Sequence, residues 1–228
     1  MMPTTETVET AASSHRVRIL GILPTRLYDW FMARMDSLAK VLVRVHIGPN
    51  MVSFLGLLAG MGAGLLFAIN LHVWAAVLII ISGILDVVDG KVAAQSNKKS
   101  LYGAIFDSTL DRYSEFFIYL GLAIYFRNRW PLWIIFFTFL GSTMVSYTRA
   151  RAEGLGIECK VGFMQRAERM LLLILGTLIG SIFKVFDPAM IVVLAAIAVI
   201  SNFTAFERTL YVRKIEIQKE KEEGGLTP

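Results

Sequence analysis

Cysteine is all but missing from this chain of 228 residues. The one present, Cys159, excludes an intrachain disulfide framework and gives no zinc-type spacing. Histidine is nearly as scarce, and His15, His46 and His72 are scattered near segment ends in no ligand pattern. Charge is sparse too. Charged residues make up 18% of the chain against 55% hydrophobic, and a mean hydropathy of +0.59 is too apolar for a water-soluble domain of this size. There is no long internal repeat and no sign of a second domain. Residues 1–14 lack the basic and apolar regions of a secretory signal, so the segment 1–23 reads as a disordered polar tail and the first span is left to insert directly.

What the chain does have is long apolar runs. They fall at about 51–69, 73–94, 104–126, 131–148, 170–186 and 188–206, each close to the ~20 residues that cross a bilayer. These predict six spans. In the second, the apolar stretch 73–85 is too short to cross alone and needs 86–94 to complete the helix. Ahead of the first span, Leu27, Trp30, Phe31, Met35, Leu38, Leu42 and Val45 recur at helical spacing with Arg26, Arg34, Lys40 and Arg44 between them, the pattern of a helix lying in the membrane interface. The expected fold is therefore an all-α polytopic membrane protein. It comprises an interfacial amphipathic helix over 24–46, a six-helix membrane domain over 47–212 and a charged tail over 213–228. Gly48-Pro49-Asn50 breaks the chain before the first span, with Asn50 or Ser53 placed to cap it. Gly56, Gly60, Gly62 and Gly64 then supply small residues for close helix packing.

Lys and Arg give the orientation, because positive residues in short loops stay cytoplasmic. The basic residues before the first span, Lys98 and Lys99, Arg151, Lys160 and Arg166, and the tail all fall on one side of a six-span chain; Arg127, Arg129 and Lys184 fall on the other. Both termini are expected in the cytoplasm. The net charge of +5 is accounted for by anionic lipid, with no need of a nucleic-acid partner.

Against this background four aspartates stand out: Asp86, Asp89, Asp107 and Asp111. The first two are spaced i,i+3 and the last two i,i+4, so each pair shares one helix face. Ionisable groups at such depth are expensive and point to function. Two facing pairs would repel one another, whereas a hard divalent cation with oxygen ligands would hold them ionised. The first expectation is a metal site on the cytoplasmic side. Gly90, Ala93 and Ala94, with Gly103 opening the next helix, leave room for a bulky phosphorylated ligand beside it.

Written out, the segment is Asp86-Val-Val-Asp89-Gly90-Lys-Val-Ala93-Ala94, then eight residues, then Gly103-Ala-Ile-Phe-Asp107-Ser-Thr-Leu-Asp111. This closely resembles the signature of the CDP-alcohol phosphotransferase family, D-x-x-D-G-x-x-A-R, a short spacer, and G-x-x-x-D-x-x-x-D. The single departure is Ala94 in place of the family arginine, which removes one contact to a CDP-lipid donor and leaves Lys91, Lys98 or Lys99 to supply the charge. The resemblance implies attack by an alcohol hydroxyl on the β-phosphorus of a CDP-lipid, with release of CMP. It implies Asp86, Asp89, Asp107 and Asp111 as ligands of two Mg²⁺ or Mn²⁺ ions, with Asp111 also taking the proton of the acceptor hydroxyl. It further implies contacts to the CDP-lipid from Asn50, Ser53, Gly90, Ala93 and Ser100, and a homodimeric assembly.

The acceptor is read from a second stretch, Ser146-Tyr-Thr-Arg149-Ala-Arg151-Ala-Glu153 followed by Gln165-Arg166-Ala-Glu168-Arg169. An arginine fork beside a metal-bound diphosphate suits a second phosphate. These pieces resemble the phosphatidylinositol-phosphate synthase branch, which makes inositol phosphate the expected acceptor and Arg151, Arg166 and Arg169 its phosphate-binding residues. The alternatives are a phosphatidylglycerophosphate synthase using glycerol 3-phosphate and, in a different class, an intramembrane cation transporter. As ordinary topology, the same arginines would mark cytoplasmic helix ends and pair with Glu153 or Glu168.

Overall fold

The computed structural model describes residues 25–224; the segment 1–23 read as a disordered tail, and residues 225–228 of the charged tail, lie outside the described residues. All the described elements are α-helices: α1 (Thr25–Arg44), α2 (Pro49–Ala68), α3 (His72–Gln95), α4 (Leu101–Tyr125), α5 (Pro131–Gly154), α6 (Arg166–Ile182) and α7 (Phe186–Gly224). Four of them, α2, α3, α5 and α7, are long and apolar enough to cross a membrane by length and composition, and the chain is a multi-pass membrane protein. The other two expected spans are present as helices of a different make. α4 carries Asp107, Asp111, Arg112 and Glu115 within its run, and α6 is only 17 residues long.

The helices stop where the backbone turns left-handed. His46, Asn70, Asn97, Asn128, Gly156 and Lys184 each follow a helix end at positive φ, the conformation that closes a helix with a backward hydrogen bond. The bonds are those of that motif, for instance Leu71 N to Leu66 O at 2.8 Å and Lys98 N to Ala93 O at 3.0 Å. Three of the six positions are asparagine, which tolerates this region better than other side chains. Short connections follow, so successive helices α2, α3 and α4 lie antiparallel.

Close approach of α2 to α4 sets the geometry of the bundle. A Cβ on Gly64 would collide with the carbonyl of Phe117, and one on Gly121 would collide with the backbone of Gly64. Only glycine at both positions lets the two backbones touch. On its other side α2 meets α3, where Ser82 Oγ donates to Gly56 O at 2.9 Å. The main apolar core then runs through Phe67, Ile79, Ile118, Leu122, Leu173, Met190 and Leu194. α5 pairs with α7, tied by Thr138 Oγ1 donating to Leu194 O at 3.0 Å and Asn202 Nδ2 donating to Phe137 O at 3.1 Å.

α1 docks through Met35 and Ala39 onto Val88 and Val92 of α3 and Val52 of α2, while Trp30, Val41 and Val45 remain exposed. Lys91 of α3 holds it electrostatically, with Nζ 2.6 Å from Asp36 Oδ1. α7 continues without a break from its apolar half into the charged segment, so residues 213–224 of the expected tail are an extension of the last span.

Gly64→Val is expected to force α2 and α4 apart and to destabilise by about 1–3 kcal/mol or more. Gly83→Ala, at a helical position with open space around a new Cβ, should be neutral or slightly stabilising. Thermal unfolding of the two variants in detergent distinguishes them.

Candidate metal centre and active site

Asp86 and Asp89 project from the second half of α3, and Asp107 and Asp111 from the first half of α4. The turn at Asn97 leads from α3 into α4, which both pack on α2, and Ser100 fixes the start of α4 as N-cap by accepting from Gly103 N at 3.0 Å. The two acidic pairs therefore face each other. Asp86, Asp107 and Asp111 offer carboxylate oxygens that all lie within 4.8 Å of one another. Asp89, nearly fully buried, accepts a hydrogen bond from Ser53 Oγ at 2.6 Å. The cleft at this point is lined by these four carboxylates with Ser53, Gly56, Ser82, Ser114 and Arg166.

One cation of the chain itself enters the cluster. Arg166, at the start of α6, places Nη1 2.9 Å from Asp86 Oδ1 and 2.8 Å from Asp111 Oδ1, bridging the two acidic helices. Its Nε is buried and has no hydrogen-bond partner among the described residues. One guanidinium against four carboxylates leaves strong negative charge at the end of an apolar bundle. The donor set is entirely carboxylate oxygen, on two facing helices, at separations that a small cation can span. Such a set fits a hard divalent ion such as Mg²⁺ or Mn²⁺ and none of the softer metals.

The other expected site residues separate by environment. Asn50 lies beside Ser100 and Gly103, its Oδ1 3.6 Å from where a Cβ on Gly103 would stand. Gly90 is exposed with nothing within 4 Å of its Cβ position, and Ala93 is half-buried one turn on. The expectation that Asn50 or Ser53 caps α2 is corrected: Gly48 is the N-cap, Pro49 takes the first turn, and Ser53 is buried against Asp89. Lys91 is engaged by Asp36, whereas Lys98 and Lys99 are exposed on the turn next to the site. Arg151 is exposed near the end of α5, next to an Arg149–Glu153 pair at 2.8 Å. Glu168 accepts from Gln165 N at 2.9 Å and so closes the start of α6.

Arg169 is fully buried in a bidentate pair with Glu115 of α4, Nε to Oε1 at 2.7 Å and Nη2 to Oε2 at 2.9 Å. Tyr119, Ser142 and the carbonyl of Met164 complete the network. Sequence reasoning missed Glu115, although a signal was there: it follows Asp111 by four residues on the same face of an apolar helix. It also missed Arg112, whose buried Nη1 lies 3.9 Å from Glu115 Oε2 and has no hydrogen-bond partner among the described residues. Arg208 of α7 was overlooked as well; it is almost wholly buried and donates to Val161 O at 2.9 Å and to Val145 O.

A bundle of apolar helices bearing an all-carboxylate, cation-fitting cluster defines a metal-dependent membrane enzyme. The chain belongs to the CDP-alcohol phosphatidyltransferase family, whose model matches residues 46–205, and it is a transferase. It is 36% identical over 170 residues to the archaetidylinositol phosphate synthase of Methanothermobacter thermautotrophicus, a match spanning 74% of this chain and 85% of that protein. It is 31% identical over 196 residues to the phosphatidylinositol phosphate synthase of Streptomyces avermitilis, covering 81% of this chain and 80% of that one. Crystal structures of the Mycobacterium tuberculosis phosphatidylinositol phosphate synthase superpose well. The form with CDP-DAG bound gives a TM-score of 0.72 at 28% identity over 78% of this chain and 92% of that chain. The complex with manganese and citrate gives 0.73 at 28% identity over 78% and 88%.

Mn²⁺ added to the purified protein is expected to raise its melting temperature, and Asp86→Asn/Asp107→Asn should abolish the shift; an equal shift in that variant would place the metal elsewhere. Arg169→Met is expected to destabilise by about 3–5 kcal/mol by leaving Glu115 buried without its bidentate partner. Glu115→Leu/Arg169→Met should lose markedly less, as read by thermal unfolding of the three proteins side by side.

Proposed function

We propose that this protein transfers a phosphatidyl-type group from a CDP-linked lipid to inositol phosphate, releasing CMP, as a step of phospholipid synthesis. The observation that carries the reading is the meeting of four carboxylates with Arg166 in one cleft. Names and contents of the relatives support it: synthases of phosphatidylinositol or archaetidylinositol phosphate, one of them solved with CDP-DAG.

In this reading Asp86, Asp89, Asp107 and Asp111 hold two divalent cations, and Ser53 keeps Asp89 in place. When bound, the ions neutralise the diphosphate and stabilise the departing phosphate of CMP. Asn50 and Ser100 border the cytidine end of the CDP-lipid, and Gly90 and Ala93 give its diphosphate access to the backbone of α3. The acceptor hydroxyl attacks the β-phosphorus, the bond from that phosphorus to the oxygen of CMP breaks, and Asp111 receives the hydroxyl proton. Arg166, already at the carboxylates, is placed to meet the acceptor phosphate, with Arg151 approaching from the end of α5. Arg169, held by Glu115, fixes the start of α6 and with it the position of Arg166.

Six crossings are the economical reading of the bundle, because α4 and α6 pack within it between helices that are long enough to span. On that count Lys and Arg set the carboxylate end and both termini at the cytoplasmic face of the cell membrane, and the exposed side of α1, with Trp30, lies in the interface. The working unit is a homodimer, as the family resemblance implies.

CMP release by purified protein with CDP-diacylglycerol and Mg²⁺ tests the reading. Inositol 1-phosphate is expected to support release, while glycerol 3-phosphate, inositol and serine do not; release with glycerol 3-phosphate alone would overturn the acceptor. Asp111→Asn should lower turnover by about 10²–10⁴-fold or more while CDP-lipid binding survives.

A further inference from the structure

At the end of the bundle opposite the carboxylates lies a larger cavity, of about 630 Å³, a size typical of small-ligand sites, which run from about 300 to 1,000 Å³. Its floor is His72, the first residue of α3, some 21 Å along that helix from Asp86 at about 1.5 Å per residue. The walls come from the α2–α3 turn at Asn70, the end of α4 at Tyr125, and the α6–α7 turn from Ser181 to Asp187.

The polar groups here divide into those already matched and those not. Asp187 is matched: Oδ1 accepts from Tyr125 Oη at 2.5 Å and Oδ2 from Arg129 Nη2 at 2.5 Å. His72 is held rigidly, stacked on Phe186 at 3.5 Å between centroids and 3° between planes, with Tyr125 edge-on at 4.9 Å. Yet its Nε2 is buried with no hydrogen-bond partner among the described residues, and so is Ser181 Oγ. Lys184 stands exposed on the same wall and joins no ion pair among the described residues. The two buried unmatched groups, His72 Nε2 and Ser181 Oγ, can each donate, and Asp187, the one acid among the lining residues, has both oxygens engaged. Buried polar groups left without partners cost free energy, so a site with two of them beside an exposed ammonium suits a ligand that supplies acceptors.

We infer that this cavity binds a phosphate-bearing anion, and that its occupant is the headgroup phosphodiester of a phospholipid in the leaflet at that end. Phosphate oxygens accept from several separate donors at once, and an ammonium strengthens the contact. The lipid source follows from the rim. Trp74, 63% exposed, and Val185 line the opening, and Phe183, 70% exposed, stands next to it on the outside of the bundle. A headgroup seated on His72, Ser181 and Lys184 has apolar surface for its chains directly beside it. The site shares no residue with the carboxylate cleft and does not rest on the reaction proposed there.

The test is native mass spectrometry of the full chain in maltoside detergent, titrated with phosphatidylglycerol, with diacylglycerol of the same chains, and separately with inorganic phosphate. Phosphatidylglycerol is expected to be retained over diacylglycerol. Ser181→Ala/Lys184→Asn should weaken retention by about tenfold or more, the loss of a charge-assisted hydrogen bond, and Lys184→Arg should keep it. Asparagine is chosen because it accepts the left-handed backbone at this position. An unchanged thermal unfolding profile in detergent certifies that the variants are folded. Equal retention of the two lipids, or of phosphatidylglycerol by the wild type and the double variant, would overturn the site. Variant-sensitive binding of inorganic phosphate without the lipid would overturn the lipid and leave a soluble phosphate as the occupant.

Discussion

Mutual repulsion among four carboxylates, gathered at one end of an apolar bundle, is the constraint to which the rest of the architecture responds. Asp86, Asp107 and Asp111 are held close by their helices and not by attraction for one another. Ser53 donates to Asp89, Arg166 spans Asp86 and Asp111, and the remaining negative charge is what a divalent cation would neutralise. Behind this cleft, the Glu115–Arg169 pair is a second layer of the same electrostatics, buried where an unpaired charge of either sign would be untenable.

The bundle carries that constraint through backbone contact. α2 has no carboxylate, yet it decides where α4 lies, because Gly64 and Gly121 touch without side chains between them. α3 is fixed on the other flank of α2 through Ser82 and Gly56. With α3 and α4 both referenced to one glycine-lined helix, the facing of their acidic pairs is a property of the whole assembly. α6 then brings in Arg166 and Arg169 at i,i+3, one for the cleft and one for the buried glutamate. Two arginines on one helix face thus do different work because they meet different acids.

Much of this was legible in the sequence, for physical reasons that also explain what was not. The aspartates were visible because charges at regular helical spacing inside apolar runs have no bland explanation, and the positions of the helices followed from hydropathy. Glu115 was harder to see, since within the run 104–126 it looks like one more polar residue until Arg169 is placed against it. The capping of α2 was misread because Asn50 is a favourable cap by type, whereas Pro49 already fixes the first turn and Gly48 precedes it. Helix ends at Asn70, Asn97 and Asn128 depend on a left-handed backbone, which residue type favours without dictating. Lys91 was a candidate for the charge missing at Ala94, and only the docking of α1 shows that Asp36 claims it. The long-range pairs were illegible because they join residues with no relation in spacing.

α7 has a further consequence that follows from its length. Its 39 residues extend about 58 Å at about 1.5 Å per residue, nearly twice the ~30 Å of a bilayer's hydrocarbon core. Its outer part, residues 213–221, is charged and largely exposed, a mast continuous with the apolar half of the helix. Any rotation or tilt of α7 is magnified at the far end of that lever, which makes the outer turns of α7 a natural place to attach a probe for motion in the membrane domain.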